Sequence, residues 1–88
     1  MDRTPDPLNL RAEALFASPL QASEHPSTDQ VRRAVASTLQ RLGTDGCAAC
    51  LAAEFGDHPD LAATRMTWAL TTIHTTDPPS ARALALAG

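Results

Sequence analysis

The sequence predicts an all-α fold, and three observations support that prediction. Alanine occurs seventeen times among 88 residues, tyrosine is absent, and Val31, Val35 and Ile73 are the only Val or Ile residues. This composition favours helices, because strands prefer β-branched and aromatic side chains. Apolar residues recur at helical spacing in several segments, and helix-capping residues precede them. We therefore expect a compact four-helix domain with helices at about 7–18, 28–42, 46–55 and 58–74 and a short C-terminal tail.

The first helix is predicted to begin at Asp6-Pro7. Asp6 is a favourable N-cap, and Pro7 suits the first helical position because its missing N–H would have no partner there. Pro19 disfavours helical geometry in the residue before it, so the helix should end near Ser18. Its apolar stripe comprises Leu8, Ala12, Leu15 and Phe16.

The second helix has the clearest boundaries. Ser27 and Gln30 have the spacing of a capping box, and Gly43 is the expected C-terminal stop. Its stripe comprises Val31, Ala34, Val35, Thr38, Leu39 and Leu42. The arginines of this helix are distributed around its remaining surface and do not share one face, which is typical of a helix exterior exposed to solvent.

The third and fourth helices are predicted on either side of a glycine. A turn at residues 44–46 should lead into a helix that is buried through Cys47, Leu51 and Phe55 and stopped by Gly56. Asp57 is the expected N-cap of the fourth helix. The core stripe of that helix comprises Ala62, Met66, Ala69 and Ile73.

The fourth helix carries more apolar surface than one neighbouring helix can cover. Leu61 and Trp68 flank the core stripe on one side and Leu70 flanks it on the other, giving an apolar arc of roughly 200°. Either this helix is central, or part of it contacts another chain. We therefore predict an interface that includes Leu61, Trp68 and Leu70, with Trp68 as an anchor or as a core residue.

One domain is predicted over residues 1–77, with residues 78–88 as a tail or a short terminal helix capped by Ser80. The N-terminus lacks the apolar stretch of a signal peptide, and no run is long enough to span a bilayer. These observations favour a cytoplasmic protein with no membrane association.

The charge distribution argues against general nucleic-acid binding. The net charge is -3, and residues 44–77 hold five acidic residues against Arg65 alone. The sequence shows no catalytic grouping around His25, His58 or His74 and no glycine-rich phosphate loop. We expect no enzymatic activity and no cofactor.

Cys47 and Cys50 form a CxxC pair, a pattern that occurs in redox and metal sites. A thioredoxin-like site would need a surrounding βαβ pattern, and a closed zinc site would need two further ligands. Neither is indicated, so buried structural cysteines are the favoured interpretation. Metal binding or redox chemistry by this pair is the alternative.

Residues 51–70 resemble a helix-turn-helix of the type found in sigma factors and response regulators. The resemblance rests on Ala52, on Phe55-Gly56, on Pro59, and on the pairs Arg65-Met66 and Ala69-Leu70. It implies close helix crossing at Ala52, a left-handed turn at Gly56, and a second helix begun by Pro59. The chain as a whole also resembles short helical proteins of high-GC actinobacteria.

Two main hypotheses on function follow. The preferred one is a non-enzymatic protein-interaction or regulatory module whose partner is a second copy or another regulatory protein. The alternative, implied by the resemblance, is a DNA-binding regulator that uses Thr64, Arg65 and Thr67. That alternative meets an unfavourable charge, since phosphate contacts by Lys and Arg dominate DNA affinity.

Overall fold

Three α-helices account for most of residues 7–76, the residues that the computed structural model describes. Helix α1 spans Pro7–Ala17, α2 spans Thr28–Asp57 and α3 spans Pro59–Thr76. A short 3₁₀ turn, Ala22–Glu24, lies between α1 and α2. All regular elements of this described part are helical and none is a strand, which confirms the predicted all-α class.

The number of helices differs from the prediction, because the second and third predicted helices are the two halves of α2. The helix is interrupted only at Gly43, whose φ of 70° and ψ of 173° lie outside the helical region. Glycine adopts this conformation without steric cost, so one residue bends the helix and the predicted turn at residues 44–46 is not needed. Across the bend, a Cβ placed on Gly46 would lie 2.9 Å from the Leu42 Cβ. The bend therefore depends on two glycines.

The starts of α1 and α2 agree with the sequence. The Ser27 hydroxyl accepts a hydrogen bond of 3.2 Å from the Gln30 N–H, and the Gln30 side chain accepts one of 2.8 Å from the Ser27 N–H. This confirms the predicted capping box.

Helix α1 begins at Pro7 as expected, whereas Asp6 lies outside the described residues. It ends at Ala17, and the Ser18 hydroxyl donates to the Leu15 carbonyl oxygen at 2.7 Å.

The junction between α2 and α3 is shorter than predicted. Helix α2 continues through Gly56 to Asp57, and only His58, with φ of -141° and ψ of 69°, separates it from α3. The His58 carbonyl oxygen accepts the first hydrogen bond of α3, from the Ala62 N–H at 2.8 Å. His58 thus takes the cap position predicted for Asp57, because Pro59 disfavours helical geometry in the residue before it.

The core lies where the three helices meet. Its apolar members are Ala12, Ala14, Leu15, Phe16, Val31, Val35, Cys47, Ala62, Ala69 and Ile73. These residues include most of the predicted stripes. Leu42 and Phe55, which were predicted to be buried, are 40% and 37% exposed. A straight helix of 30 residues would span about 45 Å, so α2 extends beyond the 11-residue α1 and cannot be covered along its whole length.

Candidate interaction surface

Leu61 is the most exposed large apolar side chain among the described residues. It lies in the first turn of α3, and 71% of its surface is accessible. The next most exposed large apolar side chain, that of Leu42, is 40% exposed. A leucine this exposed gains nothing from the core of its own chain, so its contribution depends on what it contacts outside that core.

The other two residues of the predicted interface lie on different sides of α3. Leu61 and Leu70 are nine residues apart, which places them about 180° apart around a helix. Leu70 is half-buried and packs against the core, so it does not share a surface with Leu61. Trp68 is also half-buried, but it lies two turns after Leu61 on the same side of the helix.

Arg65 lies between Leu61 and Trp68 and connects α3 to the chain that leaves α1. Its Nε donates to the Phe16 carbonyl oxygen at 2.9 Å. Its Nη2 donates to three more carbonyl oxygens, at distances of 2.8 to 3.3 Å; these belong to Leu15, Ser18 and Leu20. The last carbonyls of a helix have no partner within it, so one guanidinium caps the end of α1 and orders the residues after it.

Two aromatic rings lie close to this guanidinium. Its Cζ lies 5.8 Å from the centroid of the Phe16 ring and 5.0 Å from that of Trp68. Phe16 in turn stacks on Phe55, with ring centroids 6.2 Å apart and planes 13° from parallel. Burial lowers the pKa of Arg65, and the neighbouring Cys50 and Glu54 act in the opposite direction. Phe16, Phe55, Arg65 and Trp68 thus form a cluster, the Arg65 cluster, that joins all three helices.

We define the Leu61 surface as Phe55, Leu61 and Trp68, the partly exposed apolar residues around Arg65. Phe55 enters it through its stack on Phe16, although the sequence pattern indicated a core residue. Exposed acidic residues adjoin the surface along the chain; they are Glu54, Asp57 and Asp60. The Arg65–Trp68 spacing of three residues was the only sequence signal for this arrangement, since it places a cation beside an aromatic ring on one helix face.

Thr64, Arg65 and Thr67, the residues that a DNA-binding regulator would use, have different surroundings. Thr64 is exposed. The Thr67 hydroxyl donates to the Ala63 carbonyl oxygen at 3.0 Å, within the helix. The Nε and Nη2 of Arg65 are engaged by main-chain carbonyls. Gly56, which the resemblance places in a left-handed turn, is helical, and Gly43 is the only glycine of the described residues with positive φ.

The two cysteines are both free thiols, and they differ in burial. Cys47 is buried in the core and Cys50 is half-buried. Desolvation raises the pKa of the Cys47 thiol, with smaller contributions in the same direction from Glu13 and Cys50. Because the thiolate is the reactive and metal-binding form, this environment disfavours chemistry at Cys47. Within residues 7–76, no group of three or more His, Cys, Asp or Glu residues is arranged to hold a metal ion.

Comparisons with family models, with curated proteins and with solved structures give no match. Among the described helices, none has the length and apolar character that crossing a bilayer requires. The chemistry of the surface is therefore the basis for assigning a function.

Proposed function

We propose that this protein is a small, non-enzymatic interaction module that associates with a second copy of itself through the Leu61 surface. The observation that carries the proposal is the 71% exposure of Leu61, on the same side of α3 as the half-buried Trp68. Aromatic side chains, tryptophan above all, are among the residues that most often anchor protein interfaces, and an exposed leucine beside one enlarges the apolar area that a partner can cover.

The size of the chain supports the same proposal. A domain of fewer than about 90 residues buries a modest share of its surface, and association is one way to bury more. The Arg65 cluster also holds Trp68 against the fold, through a ring-to-guanidinium distance of 5.0 Å. An anchor that is already ordered loses little conformational entropy on binding, which favours association.

The helix-turn-helix resemblance supports a second candidate, a DNA-binding regulator that uses Thr64, Arg65 and Thr67. The contacts of Arg65 favour the first candidate over this one. Its Nη2 donates to the Leu20 carbonyl oxygen at 2.8 Å, and binding a phosphate with this group would leave main-chain acceptors of the α1 end without a partner. A gel-shift experiment at low salt separates the two candidates, because only the regulator retards DNA at micromolar protein.

Trp68 provides a direct test of the proposed association. It is the only tryptophan, so its emission reports on one site. If the Leu61 surface associates, dilution exposes Trp68 to water and shifts its emission to longer wavelength. Leu61→Asp should show the dilute spectrum at every concentration, whereas Leu42→Asp, at another exposed leucine, should behave as the wild type. A wild-type spectrum that is independent of concentration would refute the proposal.

A further inference from the structure

A groove lies on the molecule near the opposite end of α3 from Leu61. It has a volume of about 490 Å³, and its apolar lining comprises Val31, Val35, Ala36, Leu39 and Ile73. Three of these residues belong to the core, so the floor of the groove is firmly packed. The groove is large enough to receive one or two apolar side chains and is not filled by the described residues.

Two arginines line the same groove. Arg32 is exposed on α2, and its Nη2 donates to the Thr76 carbonyl oxygen at 3.3 Å, at the end of α3. Arg11 approaches from α1 and also contributes to the lining. An apolar floor beside two guanidinium groups is complementary to an apolar side chain that is flanked by carboxylates.

The corner between α2 and α3 has the complementary composition. Leu61 projects there with 71% of its surface exposed. Asp57 and Asp60 lie within four residues of it, and both are exposed. Glu54 adds a third exposed carboxylate one turn before Asp57 on α2. The molecule therefore carries an acidic apolar projection and a basic apolar groove.

We infer that the groove receives the Leu61 corner of a second copy, with Arg32 facing Asp57 and Asp60. This inference rests on the proposed function and specifies its geometry. Leu61 and Ile73 are twelve residues apart, or about 18 Å along α3, so the two surfaces do not overlap. A single contact of this kind leaves one corner and one groove unused, and these either recruit further copies into a ring or an open chain or engage each other in a twofold pair.

Charge-exchange variants test this geometry directly. Arg32→Glu gives the groove a negative group, and Asp57→Arg with Asp60→Arg gives the corner two positive groups. Each variant alone should lose association by at least about tenfold, because each opposes like charges across the contact. A mixture of the two should regain association, because the altered groove then meets the altered corner and the native groove meets the native corner.

The controls keep the experiment interpretable. Arg33→Glu changes the same charge on an exposed neighbour that does not line the groove, and it should associate as the wild type. Circular dichroism of every variant verifies that the helices remain. Sedimentation velocity measures the assembly size, and it separates a closed pair, in which both corners and both grooves are engaged, from a ring or an open chain.

The outcomes distinguish the two proposals. If Leu61→Asp abolishes association while Arg32→Glu has no effect, the Leu61 surface pairs with itself and the inference about the groove is wrong. If the wild type stays monomeric at all concentrations, the proposed self-association fails as well. That second result is also the one expected if residues 77–88 or a different protein occupy the groove. Loss in each single variant with recovery on mixing supports the inference.

Discussion

The Nε of Arg65 donates a hydrogen bond of 2.9 Å to the carbonyl oxygen of Phe16, so a residue in the middle of α3 closes the end of α1. The ring of the same Phe16 lies 5.8 Å from the guanidinium carbon. One side chain thus satisfies main-chain acceptors and contacts an aromatic face. This pairing fixes α1 against α3, and the same guanidinium lies 5.0 Å from the Trp68 ring.

Replacing Arg65 should therefore destabilise the fold rather than only change its surface charge. Arg65→Met leaves several carbonyl oxygens of the α1 end without their donor, at a cost of about 2–4 kcal/mol in the free energy of unfolding. Arg65→Lys keeps the charge but loses the planar donor geometry, and it should recover only part of that stability. Urea unfolding measures both. Arg33→Met, at an exposed position, should change the free energy of unfolding by less than about 0.5 kcal/mol. Equal losses for Arg65→Met and Arg33→Met would disprove the role of Arg65 in capping the end of α1.

Two glycines of α2 should respond to alanine in opposite directions. Gly43 has φ of 70° and ψ of 173°, a region that is essentially restricted to glycine, so Gly43→Ala should cost about 1–3 kcal/mol. Gly56 is helical, and an added Cβ there meets no atom within 4 Å. Gly56→Ala should therefore stabilise the protein by up to about 1 kcal/mol. Thermal unfolding of both variants tests the bend, and a stabilised Gly43→Ala would contradict it.

Local signals explain which parts of the fold the sequence predicted. The capping box at Ser27 and Gln30 and the start at Pro7 depend on neighbouring residues, so a sequence pattern can identify them. The sequence does not reveal the bend at Gly43, because a glycine after an apolar stripe is compatible both with a helix that ends and with one that continues after a bend. The sequence predicts the break at Asp57, one residue before His58, because aspartate is the more favourable N-cap residue; Pro59, however, restricts the residue directly before it, which is His58.

The candidate surface was predictable only in part, for a related reason. Leu61 and Trp68 were identified from helix periodicity, which depends on one element. Phe55 became a surface residue because α2 is longer than its neighbours, and that is a property of the assembled helices. The partners of Arg65 are 45 to 50 residues away in the chain, so no local pattern could reveal them.

The hydroxyl of Thr38 should be dispensable for folding. Thr38 is fully buried, and its Oγ1 has no hydrogen-bond partner. An unsatisfied buried hydroxyl is unfavourable, so Thr38→Val, which keeps the shape, should leave stability unchanged or raise it by about 1 kcal/mol. Thr67→Val, at an exposed helical position, provides the comparison. A loss of more than about 1 kcal/mol at Thr38 would show that the hydroxyl has a partner.

The cysteines should differ in reactivity and in their effect on stability at alkaline pH. Cys50 should react with a thiol reagent before Cys47, whose burial both shields it and raises its pKa. A raised pKa in the folded state means that the unfolded thiol ionises first as the pH increases. Stability should therefore be retained below about pH 8.5 and fall as the pH rises through the folded pKa. Cys47→Ala should remove this part of the pH dependence, and an unchanged slope would contradict the assignment.

The molar mass of the protein in solution, measured by light scattering over a range of concentrations, tests the central claim most directly. The account predicts that the average mass of the wild type rises above 9.3 kDa with concentration, while Leu61→Asp remains at the monomer mass. The Leu42→Asp control should follow the wild type. A wild type that stays at the monomer mass at every concentration, or a Leu61→Asp variant that associates equally well, would contradict it.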